Sequence, residues 1–167
     1  MCRPYVRGYS IVEAMAVVVV LVSIVTMAFP SFADLIERNR TRALADRLQS
    51  QLAHARIASV TGRHDVTLCG SSDGEHCDGD WGRGWLLRVP GSEAPPLGSY
   101  RLQARESLRW SGFSRVIRFR SNGTSPVGNG RFYICDRRRN EVAWQLVINR
   151  QGRVQRIRGA AEGVACG

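Results

Sequence analysis

The sequence predicts an α+β fold: a long N-terminal α-helix, its first half membrane-embedded, packed on a C-terminal antiparallel β-sheet head with disulfides. Three observations lead there. Residues 8–29, GYSIVEAMAVVVVLVSIVTMAF, form an apolar stretch of membrane length. Beyond Pro30 the apolar positions recur at three- and four-residue spacing as far as Thr61. From Arg63 onward the chain breaks into short strand-like runs with no room for crossover helices between them.

Taken in order, residues 1–8 form a short leader, 9–30 an apolar helix, 31–62 its amphipathic continuation and 63–167 a β-rich head. Ile11 to Ala33 is long enough to span a bilayer with Glu13 near the interface. In the second half Ala45, Leu48, Leu52, Ala55 and Ser59 share one face, with arginines and acids between them. Pro30 is expected to kink the helix and Gly62 to end it. Strands are expected at 64–69, 84–89, 100–105, 116–120, 131–135, 142–148 and 153–157, separated by turn signals at 70–84, 90–98, 121–130 and 149–152. In the last of these, Val154, Arg156 and Arg158 share one face while Ile157 lies opposite, which predicts a bulge or an irregular strand.

Glu13 is the anomaly of the apolar run. A carboxylate at membrane depth costs roughly 2.5–3.5 kcal/mol even on lenient insertion scales, so something must offset it. Gly8-Tyr9-Ser10-Ile11-Val12-Glu13, preceded by Arg3 and Arg7, resembles the processing site of type IV pilins and the pseudopilins of type II secretion. The resemblance implies cleavage by a prepilin peptidase between Gly8 and Tyr9 and methylation of the new N-terminus at Tyr9. It also implies that Glu13 serves assembly with other pilins or pseudopilins through the N-terminal helix. Cleavage would place an ammonium on Tyr9, four residues from Glu13 and on the same helix face, or opposite the Glu13 of a neighbouring subunit.

Five cysteines are present, and Cys2 would leave with the leader. Cys69, Cys77, Cys135 and Cys166 allow three disulfide connectivities. Cys69–Cys77 would close a small Gly/Ser/Asp loop, and Cys135–Cys166 would tie the C-terminus to a strand. A zinc site on Cys69, His76 and Cys77 lacks the usual spacing. Disulfides call for an oxidising compartment. The cysteines therefore favour a single span with the N-terminus cytoplasmic and the head periplasmic, and the pilin resemblance implies an inner-membrane protein that joins a pilus or pseudopilus after assembly. Arg38, Arg40, Arg42 and Arg47 after the span argue the other way on charge alone.

The head is similar to that of the minor pilin FimT and type II secretion protein H. The matching residues are Cys69 to Gly74 with Cys77, Trp81, Gly84-Trp85, Ile117-Arg118-Phe119, Gly123, Phe132 to Asp136 and Gly152-Arg153-Val154. The resemblance leaves two systems open, a type IV pilus and a type II secretion system.

The formal net charge is +10, and all 24 basic residues are arginine. Arg137, Arg138 and Arg139 form one cluster, and Arg150, Arg153, Arg156 and Arg158 lie on the last hairpin. Guanidinium forks match phosphate oxygens, so these seven residues are the expected contacts to DNA, bound without sequence readout. FimT proteins that bind DNA in natural transformation carry a similar glycine–arginine pattern, here Gly152 to Arg158. Without stacking aromatics interleaved, base recognition is not expected. Catalysis finds no support: His54, His64 and His76 are scattered, no metal or cofactor is called for, and Asp73, Glu75, Asp78 and Asp80 miss the spacing of a calcium loop.

Overall fold

The computed structural model describes residues 10–159 and 166. One helix, α1 (Ile11–Gly62), is followed by eight strands: β1 (Val66–Gly70), β2 (Gly84–Arg88), β3 (Gly98–Arg101), β4 (Leu108–Gly112), β5 (Val116–Phe119), β6 (Gly130–Asp136), β7 (Glu141–Ile148) and β8 (Val154–Arg158). The chain divides between Ile36 and Glu37 into two compact units.

In the first unit the helix carries apolar side chains on every side. Ile11, Val12, Met15, Val17 to Val22, Ile24 and Val25 all expose more than half of their surface. A helix that is apolar all round has no favourable state in water. Its polar side chains are satisfied locally: the Ser23 hydroxyl donates to the Val19 carbonyl at 2.8 Å and that of Thr26 to the Ser23 carbonyl at 2.9 Å. Glu13 stands in the first turn, where the helix dipole favours a carboxylate. Among the described residues no helix is long and apolar enough to cross a membrane. The exposed apolar surface stands, but the span expected over 9–30 is not established by it.

In the second unit the spacing of the sequence becomes a buried stripe. Leu44, Ala45, Leu48, Leu52, Ala55 and Ser59 are all buried, and the Ser59 hydroxyl turns back to the Arg56 carbonyl at 2.8 Å. The helix stops at Gly62, yet the left-handed residue just past it is Arg63, with φ 53°. Gly62 instead lies under the exposed His64 ring: a Cβ there would sit 2.2 Å from that ring, whose Nδ1 lies 2.8 Å from the Gly62 carbonyl. This hook delays β1 to Val66.

The strands form two antiparallel four-stranded sheets, in the orders β3-β2-β1-β5 and β4-β6-β7-β8. Both feed one core. Val66, Leu68, Trp85, Leu87, Ile117 and Phe119 come from the first sheet, Phe132, Ile134, Leu146 and Ile148 from the second, and the leucine stripe from the helix. Trp81, from the loop before β2, packs edge-on against Phe132 at 4.8 Å and donates its indole N–H to the Arg115 carbonyl. Tyr100 ties the helix to β3: Arg47 lies 4.4 Å above its ring, and its hydroxyl donates to the Glu106 carboxylate. Burial, then the Glu106 contact, pushes the Tyr100 phenol up to about 12.

Three expectations need correction. Strand β4, Leu-Arg-Trp-Ser-Gly, is an eighth strand beyond the seven expected, and it forms an edge of the second sheet by pairing with β6. Strand β3 ends at Arg101 and not at 105, because Leu102 to Glu106 form a turn in which Glu106 accepts the Gln103 N–H. The irregularity expected in β8 lies one strand earlier: the register of β6 and β7 shifts between Ile134 and Cys135, where Val142 and Trp144 face successive residues and Ala143 is extra. Strand β8 itself pairs without a shift from Val154 to Arg158. Its parity conflict is resolved by leaving Ile157 outside, 38% exposed.

Leu48 is fully buried in the shared core. Leu48→Ala is expected to lower the unfolding free energy by about 2–5 kcal/mol, read as an earlier urea midpoint with an unchanged slope.

Candidate functional site

The two arginine clusters sit at opposite ends of β7. Arg137, Arg138 and Arg139 occupy the β6–β7 turn; Arg150 and Arg153 occupy the β7–β8 turn. At about 3.3 Å per residue, the eight residues of β7 separate the turns by roughly 25 Å. Arg158, in register with Trp144, belongs to the first end.

Each turn is built by a polar side chain that gathers backbone donors. At the first, the buried Asp136 carboxylate accepts the N–H groups of Arg138 and Arg139 at 2.9 and 3.2 Å. Asn140 takes the left-handed conformation, φ 52°. The Arg137 guanidinium donates to the Ala104 carbonyl at 2.8 Å, and Arg139 lies 3.6 Å from Glu141. At the second, the Asn149 side chain accepts the Arg153 N–H at 2.9 Å, and Gly152 closes the turn at φ 71°. A Cβ on Gly152 would lie 2.3 Å from the Gly123 carbonyl, so the glycine serves close packing as well as the turn. The Arg150 and Arg153 side chains are exposed.

Arg156 behaves differently. It faces inward, hydrogen-bonds and ion-pairs with Asp46 of the helix, and lies 5.0 Å over the Trp144 ring, which Arg158 also approaches at 6.0 Å. Its guanidinium is thus already engaged. No spacing in the sequence brings Asp46 to Arg156, because the two are joined only by the packing of α1 on β8.

The cysteines form two disulfides, Cys69–Cys77 and Cys135–Cys166, with Cα separations of 5.6 and 5.9 Å. The first pair leaves no thiolates for zinc. In the loop it closes, the acids bind their own backbone. Asp73 accepts the N–H groups of Glu75 and His76 at 2.8 and 2.9 Å, and its other oxygen meets His76 Nδ1 at 2.8 Å. These bonds hold the Asp73 carboxyl far below the usual range. Hydrogen bonding to Asp73, then its charge, raises His76. Asp78 is lowered by the Ser72 hydroxyl and by the N–H groups of Asp80 and Ser72. Among the described residues no group of three His, Cys, Asp or Glu side chains could hold a metal ion.

Sequence reasoning passed over one cleft. About 580 Å³ in volume, it lies between Trp81, Arg109, Trp110, Phe113 and Arg115. Phe113 is 88% exposed. Its signal was the Gly112-Phe113-Ser114 turn, where an aromatic has no core to enter. Gly8 and Tyr9 lie outside the described residues, and Glu13 is exposed on the first turn of α1.

The family model for type II transport protein GspH matches residues 44–152. No curated protein matches the chain. Among solved structures, the type IV minor pilin FimU of Pseudomonas aeruginosa strain PAO1 is 25% identical, with a TM-score of 0.60 over 78% of this chain and 98% of that one. A second crystal form of FimU gives 24% identity and a TM-score of 0.57 over 75% and 99%. The minor pseudopilin EpsH of the Vibrio cholerae type 2 secretion system shares the fold at 11% identity, with a TM-score of 0.54 over 71% and 96%.

Two outcomes are expected. The His76 imidazole should titrate above 6.5 by NMR and fall back toward that value in Asp73→Asn. The stabilisation from the Asp73–His76 pair should be full between the ordinary values of 3.8 and 6.5, lost as pH rises through the raised imidazole value and His76 deprotonates, and lost as pH falls from 3.8 toward the lowered Asp73 value. Arg156→Gln should cost roughly 0.2–1 kcal/mol in denaturant titrations, since its partner is half exposed, whereas Arg153→Gln should cost nothing measurable.

Proposed function

The chain belongs to the family of type II transport protein GspH, and from that membership we propose that it is a minor pilin of a type IV pilus that joins or primes the filament and binds DNA without reading its sequence. The protein is a minor pilin or pseudopilin, and such families are structural. The assignment to a pilus is supported by the higher identity to the type IV minor pilin, 25% against 11% for the pseudopilin.

Assembly starts at the N-terminus. Prepilin peptidase cuts between Gly8 and Tyr9, Tyr9 is methylated, and Glu13 neutralises the N-terminal ammonium of a neighbouring subunit. The exposed apolar side chains from Ile11 to Val25 support this reading, because lipid before assembly and other subunits after it would cover them. The helix anchors the chain in the inner membrane with its N-terminus cytoplasmic and its head periplasmic, where the two disulfides persist.

The observation that carries DNA binding is the pair of arginine turns at the two ends of β7. Arg137, Arg138, Arg139 and Arg158 stand at one end, Arg150 and Arg153 at the other. A separation of roughly 25 Å lets one duplex cross both ends. Arg156 contributes by holding β8 on the helix and not by touching phosphate.

The test is fluorescence anisotropy of a labelled duplex with the full chain in a nonionic detergent, across a salt series. Affinity should fall steeply with salt and show no sequence preference. The double substitution Arg150→Gln and Arg153→Gln should reduce the logarithmic salt slope by about 2, near one unit per phosphate contact. An unchanged slope overturns the DNA reading. Under the second reading, a type II secretion pseudopilin as the family description suggests, these substitutions are silent and loss of the gene abolishes exoprotein secretion instead.

A further inference from the structure

Strand β1 carries a polar row on the face turned away from the core. Val66 and Leu68 are fully buried in the core cluster, so Thr67 between them points to the other face. In the ladder Thr67 stands opposite Arg88 of β2 on one side and Arg118 of β5 on the other. Cross-strand neighbours share a face with Cβ atoms about 5 Å apart, so Arg88 and Arg118 stand on the face of Thr67, one on either side of it.

The hydroxyl is the unexplained atom. Thr67 is only 7% exposed, and its Oγ1 is buried without a hydrogen-bond partner. A valine would fill the same space on a strand without an orphaned donor. One nitrogen of Arg88 is pinned, donating to the Ser92 carbonyl at 3.1 Å, which leaves its other donors free to turn outward. Arg118 is exposed, and among the described residues no carboxylate pairs with either arginine.

We propose that Thr67, Arg88 and Arg118 form a binding site for one phosphate group, and that the group is a backbone phosphodiester of DNA. Two guanidinium forks neutralise the anion and fit its oxygens, while the buried hydroxyl donates to a third. A lipid headgroup is disfavoured by the surroundings. None of the large exposed apolar side chains stands on β1, β2 or β5, so this face has nothing to insert into an acyl layer. Arg120, two residues beyond Arg118 and of the same parity, extends the row past the end of β5. The DNA source rests on the reading above, whereas the phosphate site does not, since none of its three residues belongs to the C-terminal arginines.

The experiment is an NMR titration of the full chain in nonionic detergent with inorganic phosphate, at ionic strength held constant with chloride. The amides of residues 66–68 and the side-chain signals of Arg88 and Arg118 should shift and saturate. Thr67→Val should weaken phosphate about fivefold, the loss of one hydrogen bond, while its melting temperature stays level or rises. Arg118→Gln should abolish saturation. A response that never saturates, or undiminished binding in Thr67→Val, overturns the site. Duplex DNA should displace the phosphate, and the Arg150→Gln/Arg153→Gln variant should bind phosphate as the parent does, so that failure at the C-terminal turns is read apart from failure here. Displacement by phosphatidylglycerol vesicles but not by duplex overturns the DNA source.

Discussion

Burial of the stripe Leu44, Leu48, Leu52 and Ala55 is the constraint on which the rest of the head depends. Neither sheet closes a core by itself, since each has one apolar face and needs something to cover it. The helix supplies leucines that join Leu68, Trp85 and Phe119 from one sheet and Phe132, Ile134 and Leu146 from the other in a single cluster. Removing the stripe would leave two sheets with exposed inner faces. The same contact orders the polar links around it: Arg47 lies over Tyr100, and Asp46 holds Arg156. The helix thus supplies the centre of the head with its second half, while its first half carries exposed apolar side chains.

That arrangement separates arginines by role. Those in the turns stay exposed at both ends of β7. Arg156, in mid-strand and facing the helix, is drawn into the fold by Asp46 and Trp144. Strand β8 is also a sheet edge, which natural proteins protect with charge against pairing with other chains. A net charge of +10 therefore describes several populations of arginine, and only the exposed ones are available to a polyanion.

Much of the fold was legible because its signals are local. The three-four spacing from Ala45 to Ser59 marks a helix face in any context, and strands such as β5, β6 and β7 carry β-branched or aromatic runs between turn residues. Strand β4 escaped because Leu108 and Trp110 are its only apolar residues, too few to stand out from a loop. The displaced irregularity has a similar cause. From parity alone, an arginine facing inward looked like an error in register, and the sequence offered no sign that Asp46 would meet it. The bulge at Ala143 carries no glycine or proline to announce it.

By itself, the chain determined its apolar arm with Glu13 at the leading edge, its helix face, its antiparallel β content and its excess of arginine, since composition and periodicity act at short range. Only the tertiary structure decided that the arginines divide between two ends of one strand, that Arg156 is a structural tie and that Thr67 lies buried between Arg88 and Arg118. These facts depend on which strands pair and in what register, and register is set by contacts between residues far apart in sequence.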